Sequence, residues 1–230
     1  MKILLVSATK PEIKSFIELS YIGKSDSVRG LFSDFIKNET NSVDLLITGV
    51  GISRSIYFIT DALNSINYDL VIQAGICGSF KKEILIGEVV EVTKEIFAQS
   101  GAEDDEIFLD LFDLGLENKN EFPFINGWIE NNSTNEINLQ RIKKVKGVTV
   151  ETAHGNINTI NRTVKKYDPD IESMEGAALF YCCKMKHIPF IEIRSVSNYV
   201  EKRNRENWNI PLAIKNLNNL LITVINEIIK

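Results

Sequence analysis

The chain has 230 residues, enough to fill one large core, so a single domain spanning 1–230 is expected. Its net charge is −5, and the charged residues, 25% of the total, are scattered in sign and position, which excludes the basic face of a nucleic-acid binder and leaves a small molecule as the expected partner. Three cysteines, Cys77, Cys182 and Cys183, give neither an even disulfide framework nor the paired spacing of a zinc site, so a reducing compartment and no metal are expected.

In chain order, the first apolar run is Ile3–Val6, a strand of ordinary length. It is too short for a signal peptide or a membrane span, so a cytoplasmic location and no membrane partner are expected. Lys10-Pro11-Glu12-Ile13 follows, where Pro11 suits a first helical turn and Glu12, taken alone, is an exposed first-turn residue. A second run at Asp44–Thr48 leads through two glycines into a helical pattern at Ser53–Ile66. Leu70–Ala74 and Glu88–Val92 are further runs, apolar on both faces as strands of a covered sheet are. Gln99–Lys144 is rich in Asp, Glu and Asn and specifies little regular structure; it reads as an excursion and a candidate lid. A helical pattern at Gly176–Lys186 precedes the last run, Pro189–Val196. The chain closes on Ile210, Ile214, Leu217, Leu221, Val224 and Ile228, spaced by fours and threes with Pro211 near the start, which predicts a helix laid against the sheet. Alternating strands and helices predict an α/β fold, a three-layer αβα domain about a mixed, largely parallel sheet, with any site at the carboxyl ends of strands.

Four clusters interrupt the apolar runs where such a site would lie. Gly49-Val50-Gly51-Ile52-Ser53 joins a strand to a helix and suits either a ligand loop or a tight turn. Position 54 is Arg, so the third glycine of a dinucleotide fingerprint is missing. Gln73-Ala74-Gly75-Ile76-Cys77-Gly78-Ser79 leaves room for a flat ligand at a strand end; Cys77 there reads as a small buried residue rather than a nucleophile. Glu172, Met174 and Glu175 precede the small residues Gly176-Ala177-Ala178, whose close packing would bury a carboxylate that needs partners, and two ribose hydroxyls would satisfy Glu175. Arg194-Ser195-Val196-Ser197-Asn198 ends the last strand in polar groups, suiting a site or a turn.

Together MKILLVSATKPEI, ITGVGISRS, IQAGICGS, ESMEGAA and RSVSN resemble the purine nucleoside phosphorylase and methylthioadenosine nucleosidase superfamily, from one end of the chain to the other. The resemblance implies a purine nucleoside as substrate, no cofactor, and a homodimer or higher homo-oligomer. It also implies roles: Glu12 orients or deprotonates the attacking water, and Met174 and Glu175 hold the ribose. Val50 and Gly51 would lie near sugar and water; Ile76, Cys77 and Gly78 would line the purine pocket opposite Thr152 and Ala153; Arg194 and Ser197 would support Asn198, the purine-binding group. His154, in the purine-side loop, reads as a hydrogen-bonded structural histidine.

Members that cleave adenine nucleosides place Asp where this chain has Asn198. Departing adenine offers two donors, which suit an acceptor-only carboxylate. Hypoxanthine offers a donor at its imidazole nitrogen and an acceptor at its 6-carbonyl, which suit the two faces of one amide. A 6-oxopurine nucleosidase is therefore expected, against three alternatives: a phosphate-dependent phosphorylase, an adenine-directed nucleosidase, and a catalytically silent nucleoside-binding protein.

Overall fold

The first strand, β1 (Lys2–Ser7), turns Leu4 and Val6 into one apolar cluster and Ile3 and Leu5 into another, all four fully buried. Alternation along a strand sends neighbours to opposite faces, so both faces of the sheet must be covered. The computed structural model to which β1 belongs describes residues 1–20, 30–131 and 142–228. Helices α2 (Ile52–Ser65) and α4 (Gly176–Lys186) supply Ile59, Leu63, Leu179 and Phe180 to the first cluster. Helices α1 (Lys14–Ser20) and α5 (Ile210–Ile228) supply Phe16, Leu217, Leu221 and Val224 to the second. The three-layer αβα arrangement follows. The α5 stripe forms as its spacing predicts, and Asn209 caps it by accepting from Leu212 N–H at 3.1 Å.

Between the helical layers, β1 lies parallel to β3 (Ser42–Ile47) and to β4 (Leu70–Ser79), and β4 lies parallel to β12 (Phe190–Tyr199). On its far side β12 pairs antiparallel with β5 (Val89–Phe97). Strand β10 (Lys143–Thr149) runs parallel to β5 and to β11 (Ile171–Ser173), and β11 returns antiparallel to β4 at Gly78 and Ser79. The strands β4, β12, β5, β10 and β11 thus close a ring. Antiparallel pairings also occur at the outer strands, where β2 (Leu31–Lys37) joins β3 and the hairpin β8 (Phe124–Ile125) to β9 (Trp128–Glu130) joins β5, so the sheet is more mixed than the alternating pattern suggests.

Two expectations need correction. The Leu70–Ala74 run does not end in a glycine loop but continues as strand through Ser79: β12 pairs with β4 along Val71–Ser79, and that pairing outweighs the poor strand preference of two glycines. Asn198, at the end of the last strand as expected, lies within β12, opposite Gly78 and next to a bulge. The 99–144 excursion is structured where described. It contains the hairpin β6 (Gly101–Asp104) to β7 (Ile107–Asp110), the β8–β9 hairpin and the start of β10; residues 132–141 lie outside the described residues. The sequence also gave no warning of β2, β11 or helix α3 (Ile157–Tyr167), whose buried Ile160, Thr163 and Tyr167 form a narrow stripe on a largely polar segment. Among the described residues, no helix is long and apolar enough to cross a membrane.

Candidate active site

The site is built from short-range constraints at strand ends. Lys10–Ile13 forms one 3-10 turn after β1, and Glu12 closes it: its Oε2 accepts from Thr9 N–H at 2.9 Å and Thr9 Oγ at 2.8 Å. The other oxygen reaches across to β4 and accepts from Ile76 N–H at 3.2 Å. Glu12 is therefore buried rather than exposed on a first turn. Asn218, buried on α5, ties the turn down by donating to the Glu12 carbonyl and accepting from Phe16 N–H, both at 2.8 Å. Burial holds the Glu12 carboxyl above its ordinary 4.5, with the Thr9 hydroxyl and the Arg194 charge pulling it back.

Glu175 stands just before α4. Gly51, expected near sugar and water, donates its N–H to Glu175 Oε1 at 3.1 Å, while Arg194 Nη1 lies 3.3 Å from Glu175 Oε2. Arg194, fully buried on β12, also donates from Nε to Glu192 at 2.7 Å and from Nη2 to Gln73 at 3.1 Å. Gly75 has no side chain for a steric reason. A Cβ there would collide with Arg194 Nη1 and come within 3.0 Å of Glu12 Oε1. That space belongs to protein groups rather than to a flat ligand.

Asn198 is fixed by its neighbours on β12. Its Oδ1 accepts from Ser197 Oγ at 2.7 Å, and its Nδ2 donates to the Tyr199 carbonyl at 3.0 Å. Ser197 Oγ also lies 3.1 Å from the Cys77 carbonyl. Each polar end of the amide keeps one unused position, a lone pair on Oδ1 and a hydrogen on Nδ2. Arg194 was expected to support Asn198; its hydrogen bonds run instead to Glu175, Glu192, Gln73 and the Ile76 carbonyl, and Ser197 alone of the two touches the amide. Burial pushes the Cys77 thiol far above the range of a reactive cysteine.

These walls enclose a cavity of about 380 Å³, a size suited to a small ligand. Glu12, Val50, Ile76, Cys77, Gly78, Ala153, Met174, Glu175, Ser197 and Asn198 all line it. Arg194 and Gly51 stand behind the wall, and Thr152 lines a neighbouring cavity on the far side of Ala153 and His154. None of the described residues between 99 and 144 lines the 380 Å³ cavity, so the described part of the excursion does not cover it as a lid. It touches the site indirectly, through Gln99, whose side chain holds the 151–152 backbone with bonds of 2.9–3.0 Å.

The sequence pointed to His154 and Glu172 but not to their pairing, and it did not point to Trp208, Arg203 or Ile214 as site residues. His154 and Glu172 form a buried pair on the cavity wall, with Nδ1 2.6 Å from the Glu172 carboxylate and Nε2 3.0 Å from Thr163 Oγ. The histidine is hydrogen-bonded at both ring nitrogens, as a structural residue would be. Trp208, Arg203 and Ile214 also line the cavity; Ile214 was hidden among the α5 core positions. Glu192 had a legible signal, because a charge two residues from Arg194 on an apolar strand shares its face. Among the described residues no group of three or more His, Cys, Asp or Glu is placed to hold a metal ion.

A mixed sheet closed into a ring, with two carboxylates and an amide at the strand ends, defines an α/β protein with a small-molecule pocket that is largely apolar and carries a few polar groups. Residues 2–226 match the model of the phosphorylase superfamily, and the chain belongs to that family. It is similar to the futalosine hydrolase of Streptomyces coelicolor, at 29% identity over 74% of this chain and 73% of that one. It is also similar to a 5'-methylthioadenosine/S-adenosylhomocysteine nucleosidase of Shewanella sediminis, at 23% identity over 86% of each chain. Among solved structures, futalosine hydrolase of Helicobacter pylori superposes with a TM-score of 0.82 at 16% identity, covering 99% of this chain and 98% of that one.

Proposed function

We propose that the protein is a purine nucleosidase that hydrolyses the N-glycosidic bond of futalosine, releasing hypoxanthine and dehypoxanthine futalosine, a step that would serve menaquinone biosynthesis. The observation that carries this reading is the cavity-lining amide of Asn198, held with one acceptor and one donor position unused. That pair matches the imidazole N–H and the 6-carbonyl of departing hypoxanthine; adenine would place a donor against a donor. The tracts RSVSNYVEKRNRENW and VTVETAHGN, with LFDLGL and FPFINGW, are similar to futalosine hydrolases and support the same choice.

In this mechanism the bond from the anomeric carbon to the purine breaks first, giving an oxocarbenium-like ribose. Glu175 accepts from the ribose hydroxyls with the lone pairs that Gly51 and Arg194 leave unused. Water held by Glu12 attacks the anomeric carbon and gives its proton to that carboxylate, whose raised affinity for protons suits a base. Asn198 has no proton to deliver. It stabilises the charge growing on the purine through hydrogen bonds that strengthen as the bond breaks, and solvent protonates the leaving base. No metal or organic cofactor takes part in this scheme. The carboxylates on the cavity wall, Glu12 and Glu175 among them, oppose phosphate as the nucleophile, and Arg54 lies exposed against Gly49 and does not line the cavity. The homo-oligomer implied by the resemblance would cover apolar surface at Tyr57, Leu116 and Phe122.

The test is to incubate the protein with futalosine, inosine and methylthioadenosine, each with and without phosphate, and to follow free purine. Hypoxanthine from futalosine without phosphate is expected. A strict need for phosphate would make it a phosphorylase, adenine from methylthioadenosine would overturn the base assignment, and binding without release would make it a silent nucleoside binder.

A further inference from the structure

Behind the cavity, out of reach of a ligand, lies a second pair of acids. Glu95 on β5 and Glu192 on β12 are fully buried. A Cβ on Gly176, the first residue of α4, would overlap Glu95 Oε1 and lie 2.7 Å from Glu192 Oε1, so both carboxyl groups converge on the space that glycine leaves. Glu95 Oε2 accepts from the Thr149 hydroxyl at 2.7 Å, and that hydroxyl in turn accepts from Ala177 N–H at 2.7 Å. Glu192 Oε1 accepts from Arg194 Nε at 2.7 Å. The two remaining oxygens, Glu95 Oε1 and Glu192 Oε2, have no hydrogen-bond partner.

Two ionised carboxylates cannot share such a place. The charged groups that face the pair are Arg194, and beyond it Glu175 and Glu12; the neutral titratable neighbour is Cys77. One guanidinium stands against four carboxyl groups, and burying each extra charge costs several kcal/mol. A proton on Glu95 Oε1 removes the repulsion and turns that partnerless oxygen into a donor toward Glu192. Its place follows from the neighbours. Burial and the Glu192 charge hold the Glu95 carboxyl well above the ordinary carboxylate range, whereas Arg194 opposes the effect of burial on Glu192.

We propose that Glu95 and Glu192 form an acid–carboxylate pair holding one proton, resident on Glu95, and that this pair positions Arg194 so that its Nη1 braces Glu175. The neutral acid leaves Arg194 shared between Glu192 and Glu175; a second full charge at Glu95 would draw the guanidinium away from the cavity wall. Glu95 and Glu192 are thus positioning residues, acting on substrate only through Arg194 and Glu175. Their kinetic effect rests on the reading of Glu175 as the ribose-binding group.

The protonation claim is tested without substrate, so it stands or falls apart from the nucleosidase reading. Infrared spectra of the full chain at neutral pH should show the carbonyl stretch of a buried carboxylic acid that Glu95→Gln removes. A Glu95→Gln chain that loses only carboxylate absorption would overturn it. The positioning claim is read from kinetics on the nucleoside. Glu95→Leu, which removes the donor, should raise KM about tenfold with a smaller change in kcat. Glu95→Gln, whose amide supplies a donor, should restore most of that loss. A Gln variant as impaired as the Leu variant, or a Leu variant with the KM of the native chain, would refute positioning. Should the Glu95→Leu chain fail to fold, Glu192→Gln keeps an acceptor for Arg194 without its charge and should show the same rise in KM; an unchanged KM there would refute the claim equally.

Discussion

Glu12 is held by three donors before any substrate arrives: Thr9 N–H, Thr9 Oγ and Ile76 N–H. Its carboxylate is therefore aimed in advance, which is what the orientation of a water nucleophile requires. Glu12→Gln keeps the shape of the side chain and removes the base, so kcat should fall by about 10² or more while KM changes far less. Rapid-quench or steady-state release of hypoxanthine measures it, and native turnover in the variant would remove Glu12 from the mechanism. Asn198→Asp tests the other end of the bond. An ionised Asp would set an acceptor against the 6-carbonyl and leave Ser197 Oγ bonded as before, so activity on hypoxanthine nucleosides should drop by about 10² or more. Equal or higher activity would refute the match between the amide and the purine edge.

At the scale of elements, the catalytic turn depends on a helix from the other end of the chain. Asn218 on α5 bonds both Glu12 O and Phe16 N. Asn218→Ala leaves those two buried groups unpartnered, and each such loss costs about 1–3 kcal/mol. The variant should melt at lower temperature and lose turnover together; calorimetry beside kinetics would show it, and a native melting temperature would mean that water replaces the amide. Such dependence also explains what the sequence could and could not disclose. The α5 stripe, the α4 boundary and the apolar strands were legible because each is written in local periodicity. Glu12 became legible only through the family resemblance, since by periodicity it is an ordinary first-turn acid, whereas Glu175 was already marked by the small residues after it, whose close packing buries the turn. The strand state of Gly75–Ser79 was hidden because it comes from pairing with residues more than a hundred positions later. Segments β2 and β11 carry no strand pattern of their own and are extended by the neighbours they pair with, β3 for the one and β10 and β4 for the other.

For the whole molecule, the buried acids set how stability responds to pH. The unfolded chain loses the Glu95 proton near the ordinary 4.5, while the native state keeps it well above that. Between the two values the native state binds more protons, so stability is fully present at the acid end and falls as pH rises through that window, by about 1.4 kcal/mol per pH unit for one such group. Glu95→Gln has no proton to lose there. Urea midpoints of the two chains, followed from about pH 5 to pH 8, should diverge, the native chain falling relative to the variant; parallel curves would mean that Glu95 ionises normally in the fold. The ring of strands has a consequence of another kind, for the chain as it is being made. β12 is the last strand in sequence, yet it seats between β4 and β5. Until it emerges from the ribosome, both of those strands offer bare hydrogen-bonding edges to any passing chain. A nascent protein at that point already holds Glu12 and Glu175 but neither Arg194 nor Asn198, so it is at once inert and adhesive, and its dependence on a chaperone should end when the last strand arrives.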